Sequence, residues 1–186
     1  MAIVQTDIEF HYSTTTGTSG YTISGTPAGS LGKNAGWGVI PSGTVHNLFD
    51  VVTGDEASAG DTEYRCFFVV NKHATLTWQA VKTWFVASGA GGANTEFGID
   101  TTATTVSNYD GTQALTIATE QDAPAGVTFY PDSSGNQWAK STTSGIIGDI
   151  PATYCKAVWL KRTVAAGVSA MNNDYIQIRV EGDSAA

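Results

Sequence analysis

The chain has 186 residues, 41% of them hydrophobic and 14% charged, with a formal net charge of −8. The apolar share supports a packed core rather than a solvated disordered chain, and the length suits one domain. The acidic balance has the wrong sign for a phosphate backbone, and no apolar run approaches the roughly 20 residues that cross a bilayer, so neither nucleic acid nor a membrane is an expected partner.

The start, Met1-Ala2-Ile3-Val4-Gln5-Thr6-Asp7, lacks the basic and apolar regions of a secretory signal. The product is therefore expected to stay in the cytoplasm where it is made. Asp7 to Tyr12 alternates, with Ile8, Phe10 and Tyr12 on one face and Asp7, Glu9 and His11 on the other. That pattern predicts a half-buried strand. From Ser13 to Gly43, and over about 13–44 as a unit, Gly, Ser and Thr dominate without a period. An extended arm, a long functional loop and a small hairpin all fit, and an arm that gains its contacts from a neighbour is favoured. Trp37, Val39 and Ile40 are its later apolar anchors and the candidate partner contacts.

Val45 to Phe49 predicts a short strand. Asp50 to Glu63 is acidic and punctuated by Gly54 and Gly60, which predicts a loop. Tyr64 to Val70 is nearly all aromatic or β-branched, with apolar residues on both alternating faces from Cys66 onward. This predicts a central strand buried on two sides. Asn71-Lys72-His73 looks like a tight polar turn, so a hairpin to a strand over Thr75–Val86 is expected. Leu76, Trp78, Ala80 and Trp84 share one face of that strand, whereas Val81 and Phe85 fall on the other. A bulge near Lys82 would re-aim them.

Further strands are predicted at Thr95–Asp100, Gln113–Ala118 and Val127–Tyr130. Turns are predicted at Ser88–Asn94 and Pro131–Gly135, and Thr101–Gly111 as a polar loop. Ile146 and Ile147 suggest a short edge, and Tyr154 to Val164 a second strongly apolar strand. Asp174 to Glu181 alternates, with Ile176, Ile178 and Val180 inward. Many strands, frequent turn signals and no convincing helix predict an all-β chain, an antiparallel β-sandwich with a jelly roll as the alternative. Cys66 and Cys155 fall inside strands of a cytoplasmic product, which favours free buried thiols over a disulfide.

No catalytic constellation emerges. His11, His46 and His73 have no ligand spacing, and hydrogen-bonded strand-edge roles fit them better. Gly32-Lys33 is not a phosphate loop, because Pro27 and Asn34 occupy positions that require Gly and Ser or Thr. Asp50, Asp55, Glu56, Asp61 and Glu63 could wrap a hard cation, but their spacing matches no helix-loop-helix calcium site, and a solvated turn is the simpler reading. No metal, cofactor or catalytic residue is therefore expected. Trp78, Trp84 and Trp159 lie in apolar strands and are expected in the core. Trp37 and Trp138 sit in polar, Gly-rich surroundings. They are candidate exposed rings and candidate partner contacts, with burial under loops as the favoured alternative.

Asn47-Leu48-Phe49-Asp50 leads into Gly60-Asp61-Thr62-Glu63-Tyr64-Arg65-Cys66. Lys156 to Val164 is followed by Asn172-Asn173-Asp174 and by Arg179-Val180-Glu181-Gly182-Asp183. These two blocks resemble a family of small structural proteins of tailed-phage virions. The resemblance implies a non-enzymatic virion component and brings no catalytic residues. The expectation is a capsid decoration, or cement, protein on the major capsid protein lattice, with a homotrimer as the expected assembly. The alternative is a tail- or fibre-associated module, with carbohydrate stacking as one use for an exposed ring.

Overall fold

The computed structural model describes residues 2–17, 23–88, 91–100, 113–131, 146–169, 171 and 174–184. Among the described residues nine strands follow in chain order: β1 (Ile8–Thr14), β2 (Asn34–Val39), β3 (Asp61–Asn71), β4 (Trp78–Ser88), β5 (Ala93–Ile99), β6 (Tyr130–Pro131), β7 (Ile146–Ile150), β8 (Cys155–Val164) and β9 (Ile176–Ser184). They form a six-stranded sheet, β2-β1-β3-β8-β5-β6, and a three-stranded sheet, β7-β4-β9. All pairings within the two sheets are antiparallel. The chain is an all-β sandwich.

The two apolar strands β3 and β8 lie side by side at the centre, with ten paired positions from Asp61↔Val164 to Val70↔Cys155. Because side chains alternate, the pair feeds two cores. Phe67, Val69, Val158 and Leu160 meet Trp78, Val81, Phe85, Ile147 and Ile150 of the smaller sheet. Cys66, Phe68, Val70, Cys155, Ala157 and Trp159 face the other way, against Ala35, Ala114 and Ile117. The strand expected to be buried on both sides is so buried. Each large side chain removed from water here contributes about 1.5–3 kcal/mol.

β4 enters the first core only because of a bulge. Its pairings slip between Trp78 and Val81, and Ala80 adopts a left-handed φ of 51°. That slip puts Val81 and Phe85 in phase with Trp78, as the mixed faces of the sequence required. Trp84, one residue off that phase, is buried too. The expected edge at Ile146–Ile147 is β7, and β9 keeps Ile176, Ile178 and Val180 on its more buried side.

Several expectations are corrected. β3 and β4 form no hairpin, because both neighbours of β3 are taken by β1 and β8, and β4 belongs to the other sheet. Asn71 is fully buried, and its amide nitrogen donates to the carbonyls of Leu76, Ile150 and Pro151. It is a tie between sheets that imitates a turn residue. Val45–Phe49 and Gln113–Ala118 are not strands. The latter lies irregularly against residues 31–33, with the amides of Gln113 and Ala114 donating to Lys33 and that of Ile117 to Leu31. The acidic loop contains α1 (Gly54–Ala59), started by Thr53, whose hydroxyl accepts from the Glu56 amide while Glu56 accepts from the Thr53 amide. This reciprocal cap satisfies two otherwise unpaired donors.

The segment expected as an arm is folded onto its own domain over residues 23–40. β2 pairs with β1, and Ser30, Asn34 and Ala35 are completely buried. The glycines that disguised it are what let it pack. A Cβ on Gly36 or Gly38 would approach the Ser24 carbonyl oxygen to 2.5 or 2.4 Å. Gly32 has a φ of 91°, and a Cβ there would meet the Leu115 carbonyl oxygen at 1.9 Å. Polar side chains complete this layer. Gln113 accepts from the Ala35 amide, and Asp100 accepts from the Leu115 amide and the Trp159 indole. The expected loop at 101–111, the turn at 132–135, Trp138 and Asn172-Asn173 lie outside the described residues.

Candidate functional site

Two regions concentrate chemistry. The first is the outer part of β2. Trp37 and Val39 are two residues apart on one strand, so they share a face, and they are 53% and 49% exposed. Trp37 is thus an exposed ring rather than a buried cap, because the flanking glycines draw their neighbours to the opposite side of the strand. The Trp37 and Gly38 amides donate to the carbonyls of Ile23 and Ser24. Ile40 departs from the expected contact set: it is half-buried against the first core, with its amide donating to Phe10. Beyond the strand, Val45 and Val51 are exposed as well.

The second region lies at one end of the first core, where its apolar side chains give way to charge. Glu63 and Arg65 continue the face of Phe67 and Val69 on β3, and Glu63 pairs across the sheet with Arg162 of β8. All three are buried, Glu63 to 2% exposure. Arg162 holds Glu63 through Nε at 2.6 Å, and through Nη1 it donates to the Asp50 carbonyl at 2.7 Å. Its Nη2 reaches the Asp50 carboxylate at 3.1 Å. Arg65 pairs with Glu120 and donates through Nε to the Leu48 carbonyl. The Phe49 ring lies 4.9 Å from the Arg162 guanidinium and 5.7 Å from that of Arg65. The two arginines therefore hold segment 48–50 over the end of the sandwich.

Burial pushes the Glu63 carboxyl up from its ordinary range, and the Arg162 charge and hydrogen bond pull it back only in part. Its Oε1 and Asp61 Oδ2 are buried without a hydrogen-bond partner. One carboxylate oxygen each from Glu56, Asp61 and Glu63 lies within 4.8 Å of the others. Glu63 thus departs from the solvated turn that composition suggested, whereas Asp50 and Asp55 are exposed as that reading expects. The sequence signal was a Glu-x-Arg pair inside an otherwise apolar strand, answered by an arginine in the second apolar strand.

The histidines have local duties. His11 is buried, with Nδ1 2.8 Å from the Gly36 carbonyl and Nε2 2.8 Å from Glu9. His73 Nδ1 accepts from the amides of Thr75 and Leu76. Cys66 and Cys155 are free and buried, and burial raises both thiols. Cys66 stands opposite Trp159 and Cys155 opposite Val70. The cysteines are thus four positions apart along the ladder, about 13 Å, beyond disulfide reach.

No family model matches the chain, and neither a curated protein nor a solved structure does.

Proposed function

We propose that this is a non-enzymatic structural protein of a tailed-phage virion, a decoration protein that binds the outer surface of the major capsid protein lattice. The observation that carries the reading is the exposed Trp37–Val39 face. Two large apolar side chains stand on a paired strand, held by Gly36 and Gly38 against Ser24. Exposed aromatic anchors on a rigid frame are what a partner pocket uses to gain affinity with little ordering cost. The two sequence blocks that resemble virion proteins supply the class of partner. The assembly in this reading is a homotrimer on the lattice, with no nucleic acid or membrane involved.

The half-exposed indole also supports the second reading, a tail-associated module that stacks a sugar on Trp37. Co-sedimentation of the purified protein with empty heads and with tails separates the two. Decoration predicts binding to heads and loss of that binding in Trp37→Ser/Val39→Ser. Because both positions are exposed, the variant should keep its stability to about 0.5 kcal/mol. Head binding by the variant equal to wild type overturns the assigned face, and retention on tails alone overturns decoration.

A further inference from the structure

We infer that Glu56, Asp61 and Glu63 form a binding site for a calcium ion at the junction of α1 and β3. Three carboxylates converge there, with one oxygen each inside 4.8 Å. Convergence of acidic groups alone would mean little on a surface. Here Glu63 is 2% exposed, and its Oε1 has no hydrogen bond, as is true of Asp61 Oδ2. A buried carboxylate oxygen without a hydrogen-bond donor costs free energy unless a cation or a proton completes it.

The surrounding charges leave room for a cation. Asp50 and Glu63 are engaged by Arg162, and Glu120 by Arg65. With Glu56 and Asp61 the group has five carboxylates against two guanidiniums, so a divalent ion reduces an excess of negative charge. Arg65 Nη2 forms a long ion pair with Glu63 Oε1 at 4.0 Å, beyond hydrogen-bond reach. Arg162 fixes the opposite oxygen, Oε2, and thereby holds Oε1 in place. The backbone fixes the other two ligands. Gly60, with a left-handed φ of 81°, ends α1 and turns the chain so that Asp61 begins β3 beside Glu63. The capping contact with the Thr53 amide holds Glu56.

Ligand chemistry favours calcium. Calcium takes about six to eight oxygens in flexible arrangements, whereas magnesium demands a near-ideal octahedron and dehydrates reluctantly. Three carboxylates whose oxygens lie within 4.8 Å of one another, completed by water, suit the more tolerant shell. Glu56 and Asp61 are only partly buried, so water can reach the remaining coordination positions.

The test is calorimetric titration of the chelator-stripped full chain with calcium chloride, paired with thermal melts and a parallel magnesium titration. The expected result is saturable calcium uptake near one ion per chain, a melting midpoint that rises with calcium, and weaker uptake of magnesium. Asp61→Asn should weaken calcium uptake by roughly tenfold or more, the scale on which even outer-shell partners act. Its metal-free midpoint should equal or exceed that of the wild type, because one of three mutually repelling charges is gone. Glu56→Gln keeps an acceptor for the Thr53 amide and serves as the second variant, with the same expected loss. Absence of calcium uptake by the folded wild type overturns the site and leaves a shared proton as the completing group. Undiminished uptake by both variants also overturns it.

Discussion

The two faces of the six-stranded sheet are covered in different ways. The face of Phe67 and Val69 meets a second sheet, whose strands satisfy their own backbone groups and need contribute only apolar side chains. The face of Cys66, Phe68 and Trp159 meets Ala35 of β2 together with residues 25–33 and 113–129, which form only isolated bridges. An irregular cover must find partners for each amide and carbonyl it buries. The second face accordingly buries Ser13, Ser30, Asn34, Asp100 and Gln113, and the side chains of Ser13, Ser30, Asp100 and Gln113 bond to backbone groups. One cover is held mainly by apolar contact, the other by apolar contact plus an addressed set of hydrogen bonds.

The largest expected effect tests the first cover. Phe67→Ala removes a ring that packs edge-on against Phe10 at 5.5 Å. It should cost about 3–5 kcal/mol in denaturant unfolding, with loss of the whole fold as one transition. A loss under about 1 kcal/mol would mean that the smaller sheet is not the main support of this core.

Gln113→Leu tests the second cover. The side chain keeps its approximate size but no longer accepts from the buried Ala35 amide, so about 1–3 kcal/mol should be lost. The thiols report where the loss falls. In the wild type, alkylation of Cys66 and Cys155 at mildly alkaline pH should be slow, since burial raises both thiols and shields them. In Gln113→Leu both should react faster under conditions where the fold persists. Equal thiol protection in the two proteins would show that the irregular cover opens only with the sheet.

The smallest effect concerns the rim of the second face. Burial pushes the Glu9 carboxyl up, but hydrogen bonds and charge from Lys72 and His11 outweigh it and leave it below its ordinary value of 4.5. A lowered carboxyl stabilises the fold when ionised. Its contribution is complete above the ordinary value and disappears as pH falls through the lower folded value. Stability should therefore decline slightly more steeply on acidification in the wild type than in Glu9→Gln, by about a few tenths of a kcal/mol for a pair this exposed. Identical acid profiles would remove Glu9 from the account.

The unevenness of the two covers also explains what the sequence discloses. β3, β8 and β9 were legible because aromatic and β-branched runs, or clean alternation, announce a strand whatever lies beside it. The bulge in β4 was legible because Val81 and Phe85 could not otherwise share a core with Trp78. β2 was hidden, since Gly36 and Gly38 look like turn residues until the approach of Ser24 gives them a reason. The hairpin was misplaced because Asn71 resembles a turn residue, while its actual partners at Ile150 and Pro151 lie far along the chain. The capping pair Thr53 and Glu56 was present in the sequence, but six residues with no apolar face gave it no helix to announce. Of the candidate contacts, Trp37 and Val39 are exposed together, whereas Ile40 is drawn inward by its amide bond to Phe10. The ionic cluster needs Glu63 beside Arg162, residues 99 positions apart, and only the register of β3 with β8 brings them together.

The hydrogen bonds from Trp37 and Gly38 to Ile23 and Ser24 have a consequence for the protein in bulk. A strand at the margin of a sheet, with bare amides and an apolar face, is a template for edge-to-edge growth into fibres. At these positions β2 has its margin closed by its own chain, so its apolar side chains stand out while its backbone is spoken for. Copies can therefore be concentrated without templating one another into sheets, although one indole and one valine stand in water.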